Sequence, residues 1–142
     1  MLLLDTNVVS ELRKTRSGRA NAAVVGWARG VLSASLHLSV VSVMEIELGI
    51  RLKERRDARQ AQVLEAWLTT LLDRFGDRLL PVDTRVARRC AALHVPDPRP
   101  ERDAFIAATA DVHGLTLVTR NVSDFRGTGV ALVNPWEWRG ND

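Results

Sequence analysis

Short, unbroken apolar runs alternate along this chain with longer stretches whose apolar residues recur every three or four positions. LLL at 2–4, LHLSV at 36–40, LTLV at 115–118 and VALV at 130–133 are the runs. Each is short enough for a strand. Because they do not alternate polar with apolar, they predict strands covered on both faces. RLLPV at 78–82 is a fifth candidate, which Pro81 confines to a sheet edge or a strand end.

Helical spacing fills the gaps. The pattern predicts a short helix over 7–13, and one over 20–33 carrying Ala23, Val24, Trp27, Val31 and Leu32 on one side. It predicts further helices over 43–54 and 57–75. In the second of these, Leu64, Trp67, Leu68, Leu71, Leu72 and Phe75 form an apolar stripe that stops at Gly76. Two more fall over 84–94, with Thr84 as N-cap, and over 101–113, stopped by Gly114. Strands separated by crossover-length helices predict an α/β fold: a central parallel sheet of four to five strands flanked by helices in three layers. The two helices between 43 and 75 suit a projecting hairpin. The Pro-rich VPDPRPER at 95–102 reads as a loop, and no repeat or low-complexity linker divides the chain, so one domain over 1–142 is expected.

Composition narrows the picture further. The chain has 142 residues, 46% of them hydrophobic and 26% charged, which supports a packed core and excludes a disordered chain. Twenty Lys and Arg against 17 Asp and Glu give a net charge of +3, compatible with an anionic partner without requiring one. Arg51, Lys53, Arg55, Arg56 and Arg59 form the densest basic cluster, either a solvated helix surface or a phosphate- or partner-contacting one. The single cysteine, Cys90, permits no internal disulfide and no zinc site of the thiolate type, and a cytoplasmic setting follows as the simplest expectation. There is no basic segment leading into a long apolar one at the start, and no apolar run of about 20 residues. Neither a signal peptide nor a membrane span is therefore expected.

Ligands of open α/β sheets bind beyond the carboxyl ends of the strands. Asp5, Thr6 and Asn7 follow the first strand, Ser42 and Glu45 the second, and Thr119, Asn121, Ser123 and Asp124 the LTLV strand, while Asp103 opens the helix leading into it. Each has a local explanation. Asp5, Thr6 and Asn7 suit a cap for the helix beginning near 8; Ser42-x-x-Glu45 has the form of a capping box; Asp103 suits the positive end of a helix; Asp124 suits a turn. Together they form a set of carboxylates at one sheet edge, which repel one another unless a cation intervenes. Oxygen ligands without His or Cys favour a hard cation, Mg2+ or Mn2+, and a cation held this way is equipped for phosphodiester hydrolysis. His37, His94 and His113 fall outside the set. Trp27 and Trp67 belong to apolar helical stripes, while Trp136 and Trp138 suit a sheet edge or a dimer contact.

LLLDTNVVSEL, SVVSVMEIELGI, RDAFIAATA and LVTRNVSDFRGTGVALVNPW, in that order between residues 2 and 136, resemble the PIN-domain ribonucleases, and among them the VapC/FitB toxins of toxin–antitoxin pairs. The resemblance implies a PIN-like fold and a Mg2+- or Mn2+-dependent endoribonuclease that hydrolyses RNA phosphodiester bonds. It implies Asp5 and Asp103 as metal ligands, Glu45 as the acid of the second motif, and Asn7 and Thr119 as polar groups that orient the acids; Thr6, beside Asp5, is a further supporting candidate from its position. Where many relatives carry a further acid, this chain has Asn121, with Asp124 three residues on; both are carried as catalytic candidates. The partners implied are RNA, a second copy of the chain, and an antitoxin of the VapB type that places a basic side chain among the acids, gripping the apolar helices at 43–75. Among other classes, a receiver-type phosphoacceptor lacks its acceptor Asp and its Lys here, and a haloacid-type phosphatase lacks the second acid of Asp-x-Asp. A PIN-like module without activity is the reading that Asn121 favours.

Overall fold

A computed structural model describes residues 1–140. Five parallel strands, β1 (Leu2–Leu4), β2 (Leu36–Ser39), β3 (Leu79–Leu80), β4 (Thr116–Val118) and β5 (Leu132–Val133), are ordered β3-β2-β1-β4-β5. The apolar runs therefore mark the strands, including the one next to Pro81, which is an edge strand of two residues. Helices α1 (Thr6–Arg13), α2 (Ala22–Arg29), α3 (Val40–Glu54), α4 (Ala58–Phe75), α5 (Thr84–Leu93) and α6 (Glu101–Val112) connect them.

The pleat divides the core in two. Leu3 and Leu117 point to one face, against Val86, Cys90 and Leu93 of α5 and Ile106, Ala107 and Ala110 of α6. Leu4, Leu38 and Val118 point to the other, against Val8 and Val9 of α1, Ile46 and Ile50 of α3, and Ala61, Leu68 and Phe75 of α4. Small residues on α6 let its backbone lie close over the sheet, so the head of that helix is fixed relative to the strand ends.

Local signals held at some termini and failed at others. Gly76 (φ 52°) ends α4 and Gly114 (φ 64°) lies just past α6, both in backbone conformations that side chains resist. Asp83, not Thr84, caps α5, accepting from the Val86 amide. The Ser42–Glu45 capping box does not form. Helix α3 starts earlier, at Val40, with Ser39 accepting from the Val41 amide at 3.0 Å. The second predicted helix is shorter, ending at Arg29 before a 3-10 turn at Ser33–Ser35.

Helices α3 and α4 pair across a three-residue turn, but the α4 stripe is not left projecting: Leu64, Trp67, Leu71 and Leu72 pack, partly buried, on the core, and the exposed large apolar residues of this pair are Val40, Met44, Leu48 and Leu52 of α3 and Val63 of α4. Trp27 and Trp136 pack on the same core. Trp138 lies against Gly26, where a Cβ would meet its ring. Cys90 is buried, and among the described residues no helix is long and apolar enough to cross a membrane.

Ser39 is fully buried, so its hydroxyl is the available partner for the Val41 amide. Ser39→Ala is expected to lower unfolding stability by about 1–2 kcal/mol in denaturant titrations. An unchanged midpoint contradicts this start for α3.

Candidate functional site

The chain leaves β1 for β2 on one side and, after β3, crosses to β4 on the other. The crevice of this sheet therefore lies between the carboxyl ends of β1 and β4. The Asp5 amide donates to the Val118 carbonyl at 2.9 Å, which continues the β1–β4 ladder by one step and sets Asp5 beside Thr119.

Asp5 is buried, and it is itself the cap of α1, a role that Thr6 and Asn7 were equally suited to. Its Oδ1 accepts from the Thr6 amide at 2.8 Å. Its Oδ2 accepts from the Thr119 hydroxyl at 2.8 Å and from Asn7 Nδ2 at 3.4 Å. Thr119, fully buried, also accepts from the Asn121 amide at 3.0 Å, so one hydroxyl ties the turn after β4 to the carboxylate after β1. Asn7 Nδ2 lies 3.4 Å from the same hydroxyl, and Asn7 Oδ1 accepts from the Arg120 amide at 3.3 Å.

The second wall is α3. Thr6 Oγ1 lies 2.8 Å from Glu45 Oε1 and 2.8 Å from Ser42 Oγ. A hydroxyl has one proton, so Thr6 donates to the carboxylate and accepts from Ser42. Ser42 and Glu45 thus meet through a residue of α1 rather than by capping their own helix. Ser42 is fully buried and joins the polar network at the site.

Asp103 is half-buried in the first turn of α6. Burial pushes its carboxyl above its ordinary value, and the charges of Asp5, Asp124 and Glu45 push it further the same way. Asp5 is also raised, chiefly by burial; hydrogen bonds from Thr119 and the Thr6 amide oppose that, and Glu45 and Asp124 reinforce it. The four carboxylates therefore share one electrostatic field. Asp124 is exposed on a 3-10 turn at Val122–Phe125, which Phe125 anchors in the core. The Asn121 side chain is exposed and makes no hydrogen bond among the described residues; only its backbone takes part.

One cation enters this set. Arg102 Nη1 lies 3.6 Å from Glu45 Oε2. Motif spacing does not single out Arg102, although a base in the first turn of a helix works against the helix dipole and is a signal in itself. The histidines stand apart: His37 Nδ1 faces the Leu2 and Ser35 carbonyls, and His94 Nδ1 accepts from the Arg99 amide. The basic cluster begins roughly 10 Å along the α3 axis from Glu45 and continues away from it. Arg51 there is paired with Glu47 and Glu54.

Among the described residues, no three His, Cys, Asp or Glu side chains are gathered closely enough to cage an ion by themselves. The donor chemistry nonetheless fits Mg2+ or Mn2+, which characteristically take one or two carboxylates and fill their remaining positions with water and phosphate oxygens. Asp5 and Asp103, each raised chiefly by burial and further by neighbouring acids, could hold such an ion.

Comparison with known proteins sets this geometry among relatives. The family model described as PIN domain matches residues 2–129. Toxin FitB of Neisseria gonorrhoeae is 36% identical over 143 aligned positions, covering 96% of this chain and 99% of that protein. A VapC ribonuclease of Sinorhizobium fredii is 34% identical, with 96% and 99% covered. Among solved structures, FitAcB from Neisseria gonorrhoeae superposes with a TM-score of 0.85 at 35% identity, covering 96% of this chain and 99% of that one. A structure of FitAB bound to an IR36 DNA fragment gives the same TM-score of 0.85 at 32% identity, with both chains fully covered.

The raised Asp103 carboxyl has a consequence for stability. With its folded-state pKa above the ordinary 3.8, the ionised form penalises the fold at neutral pH, and the penalty disappears once the pH drops below that ordinary value. In chelator, Asp103→Asn is expected to raise Tm at pH 7 by about 1–3 °C, modest because solvent screens a half-buried group. The gap should close towards pH 3.5. Scanning calorimetry at the two pH values checks this; a variant less stable than wild type at pH 7 contradicts it.

Proposed function

Since this chain belongs to the PIN domain family, within the group of VapC/FitB toxins, we propose that it is a Mg2+- or Mn2+-dependent endoribonuclease acting as the toxin of a toxin–antitoxin pair. The observation that carries the reading is the shared field of Asp5, Glu45, Asp103 and Asp124 at the β1–β4 crevice, where burial first, and the charges of Glu45 and Asp124 second, raise both Asp5 and Asp103.

Asp5 and Asp103 would hold the ion. When bound, it supplies Lewis-acid chemistry, neutralising charge on the scissile phosphate and making water more acidic. Thr119 and the Thr6 amide fix Asp5 from two sides, so the oxygens offered are positioned before substrate arrives. Thr6 fixes Glu45 through Oε1, so Oε2, once Arg102 moves off it, can take the proton of the water whose oxygen bonds to phosphorus as the P–O3′ bond breaks, the departing 3′-oxygen taking its proton from solvent. Asp124, whose charge reaches both Asp5 and Asp103, takes the part of the further acid that Asn121 does not supply. Asn121 contributes its amide to the Thr119 hydroxyl and so helps hold that hydroxyl in place.

The partner is an antitoxin. The solved relatives FitAcB and FitAB, and a toxin–antitoxin complex from Klebsiella pneumoniae at 26% identity and a TM-score of 0.62, support this. A cleft between α1 and α4, lined by Leu12, Arg13, Trp67, Leu71 and Arg74, is a suitable seat for an apolar segment of it. The exposed Met44, Leu48 and Leu52 on α3 suit a second copy of the chain.

Wild-type chain freed of antitoxin is expected to cleave RNA with Mn2+ and to stop in excess chelator. Asp5→Asn and Asp103→Asn should each lower the rate roughly 100-fold or more while leaving the far-ultraviolet circular dichroism unchanged. Cleavage that survives chelator, or either variant at the wild-type rate, overturns the reading. No cleavage of any RNA, together with tight RNA binding, favours instead a PIN module that binds without hydrolysis, the reading that Asn121 suggests.

A further inference from the structure

Of the ion pairs among the described residues, the one that reaches the acidic site is Arg102 to Glu45. Arg102 stands in the first turn of α6 immediately before Asp103, where the helix dipole is unfavourable to a cation, so the acids must compensate for its placement. Its guanidinium approaches Glu45 Oε2 at 3.6 Å, the oxygen that Thr6 leaves free. The contact is single rather than forked, and the Arg102 side chain is 51% exposed, so the pair is weak and easily opened. Arg102 also lines an apolar groove with Val41, Met44, Val82 and Phe105, where its stem can stay packed while its charged head moves.

We propose that Arg102 is a positioning residue that acts as the site's built-in counter-cation: it holds Glu45 towards the head of α6 and competes with a divalent ion for the acidic cluster. The inference rests on the metal-dependent reading above. A guanidinium and a divalent ion cannot both sit against Glu45 without strong repulsion, so occupancy by one disfavours the other. Without the ion, Arg102 relieves part of the repulsion among the four acids. With it, Arg102 is released towards solvent at the mouth of the crevice, where an anionic substrate approaches. Placing the cation on α6 itself, one residue from Asp103, joins the two walls of the site, α3 and α6, in the ion-free state.

Titration calorimetry with Mn2+ on the purified chain, at fixed ionic strength, tests this. Arg102→Ala should bind Mn2+ about 3- to 10-fold more tightly than wild type, because a competing charge is gone. Arg102→Lys, which keeps the charge, should stay within about 2-fold of wild type. In chelator Arg102→Ala should melt below wild type, and saturating Mn2+ should narrow or reverse the gap. If wild type binds Mn2+ and Arg102→Ala binds it equally or more weakly, the inference is wrong while the metal reading stands. If wild type itself binds no Mn2+, the metal reading fails and this inference with it.

Discussion

Leu4 of β1 pairs with Val118 of β4, and the Asp5 amide extends that ladder by donating to the Val118 carbonyl. From this register the rest of the site follows. It brings a carboxylate against a fully buried hydroxyl, Thr119, which could not be left there unpaired. A slip of one residue would turn Leu3 and Leu4 to the wrong layers of the core as well as parting Asp5 from Thr119. The two-sided core therefore locks the register, and the register places the acid. Fold stability and site geometry are one constraint at this point.

What the core holds together there is electrostatically unfavourable. Asp5 and Asp103 are raised by burial and by the acids around them, three of the four carboxylates are wholly or partly buried, and one guanidinium, Arg102, pairs with Glu45. Such strain at a crevice is characteristic of sites that accept a charged ligand rather than of sites selected for stability. The surrounding hydrogen bonds, Thr6 to Glu45, Ser42 to Thr6 and Thr119 to Asp5, do not neutralise that charge; they set its direction. The basic cluster at the end of α3 is too far along the helix to take part.

Much of this was legible in the chain. The apolar runs gave the strands because strands covered on both faces need no polar alternation, and the order of elements indicated the sheet edge at which the acids meet. The positions of Asp5, Thr119 and Asp103 at element ends could be read from spacing. What spacing could not do was choose between equally good local patterns. Ser42-x-x-Glu45 has the form of a capping box, yet Ser39 caps the helix, because the chain enters α3 directly from β2 with no loop between. Thr6, Asn7 and Asp5 were all suited to cap α1, and the ladder bond at Asp5 decided it. Arg102 was overlooked because its partner lies 57 positions away on another helix. The α4 stripe is shared: Leu68 and Phe75 are buried in the core, while Trp67 and Leu71, packed on it from the side, also line the open cleft beside α1.

The central claim is that Asp5 and Asp103 together hold a divalent cation. Crystals grown with Mn2+ and measured at a wavelength where manganese scatters anomalously test it without reference to any RNA. The account predicts an anomalous peak at about 2.0–2.3 Å from a carboxylate oxygen of each, lost in Asp103→Asn. A peak elsewhere, with none between Asp5 and Asp103, would contradict it.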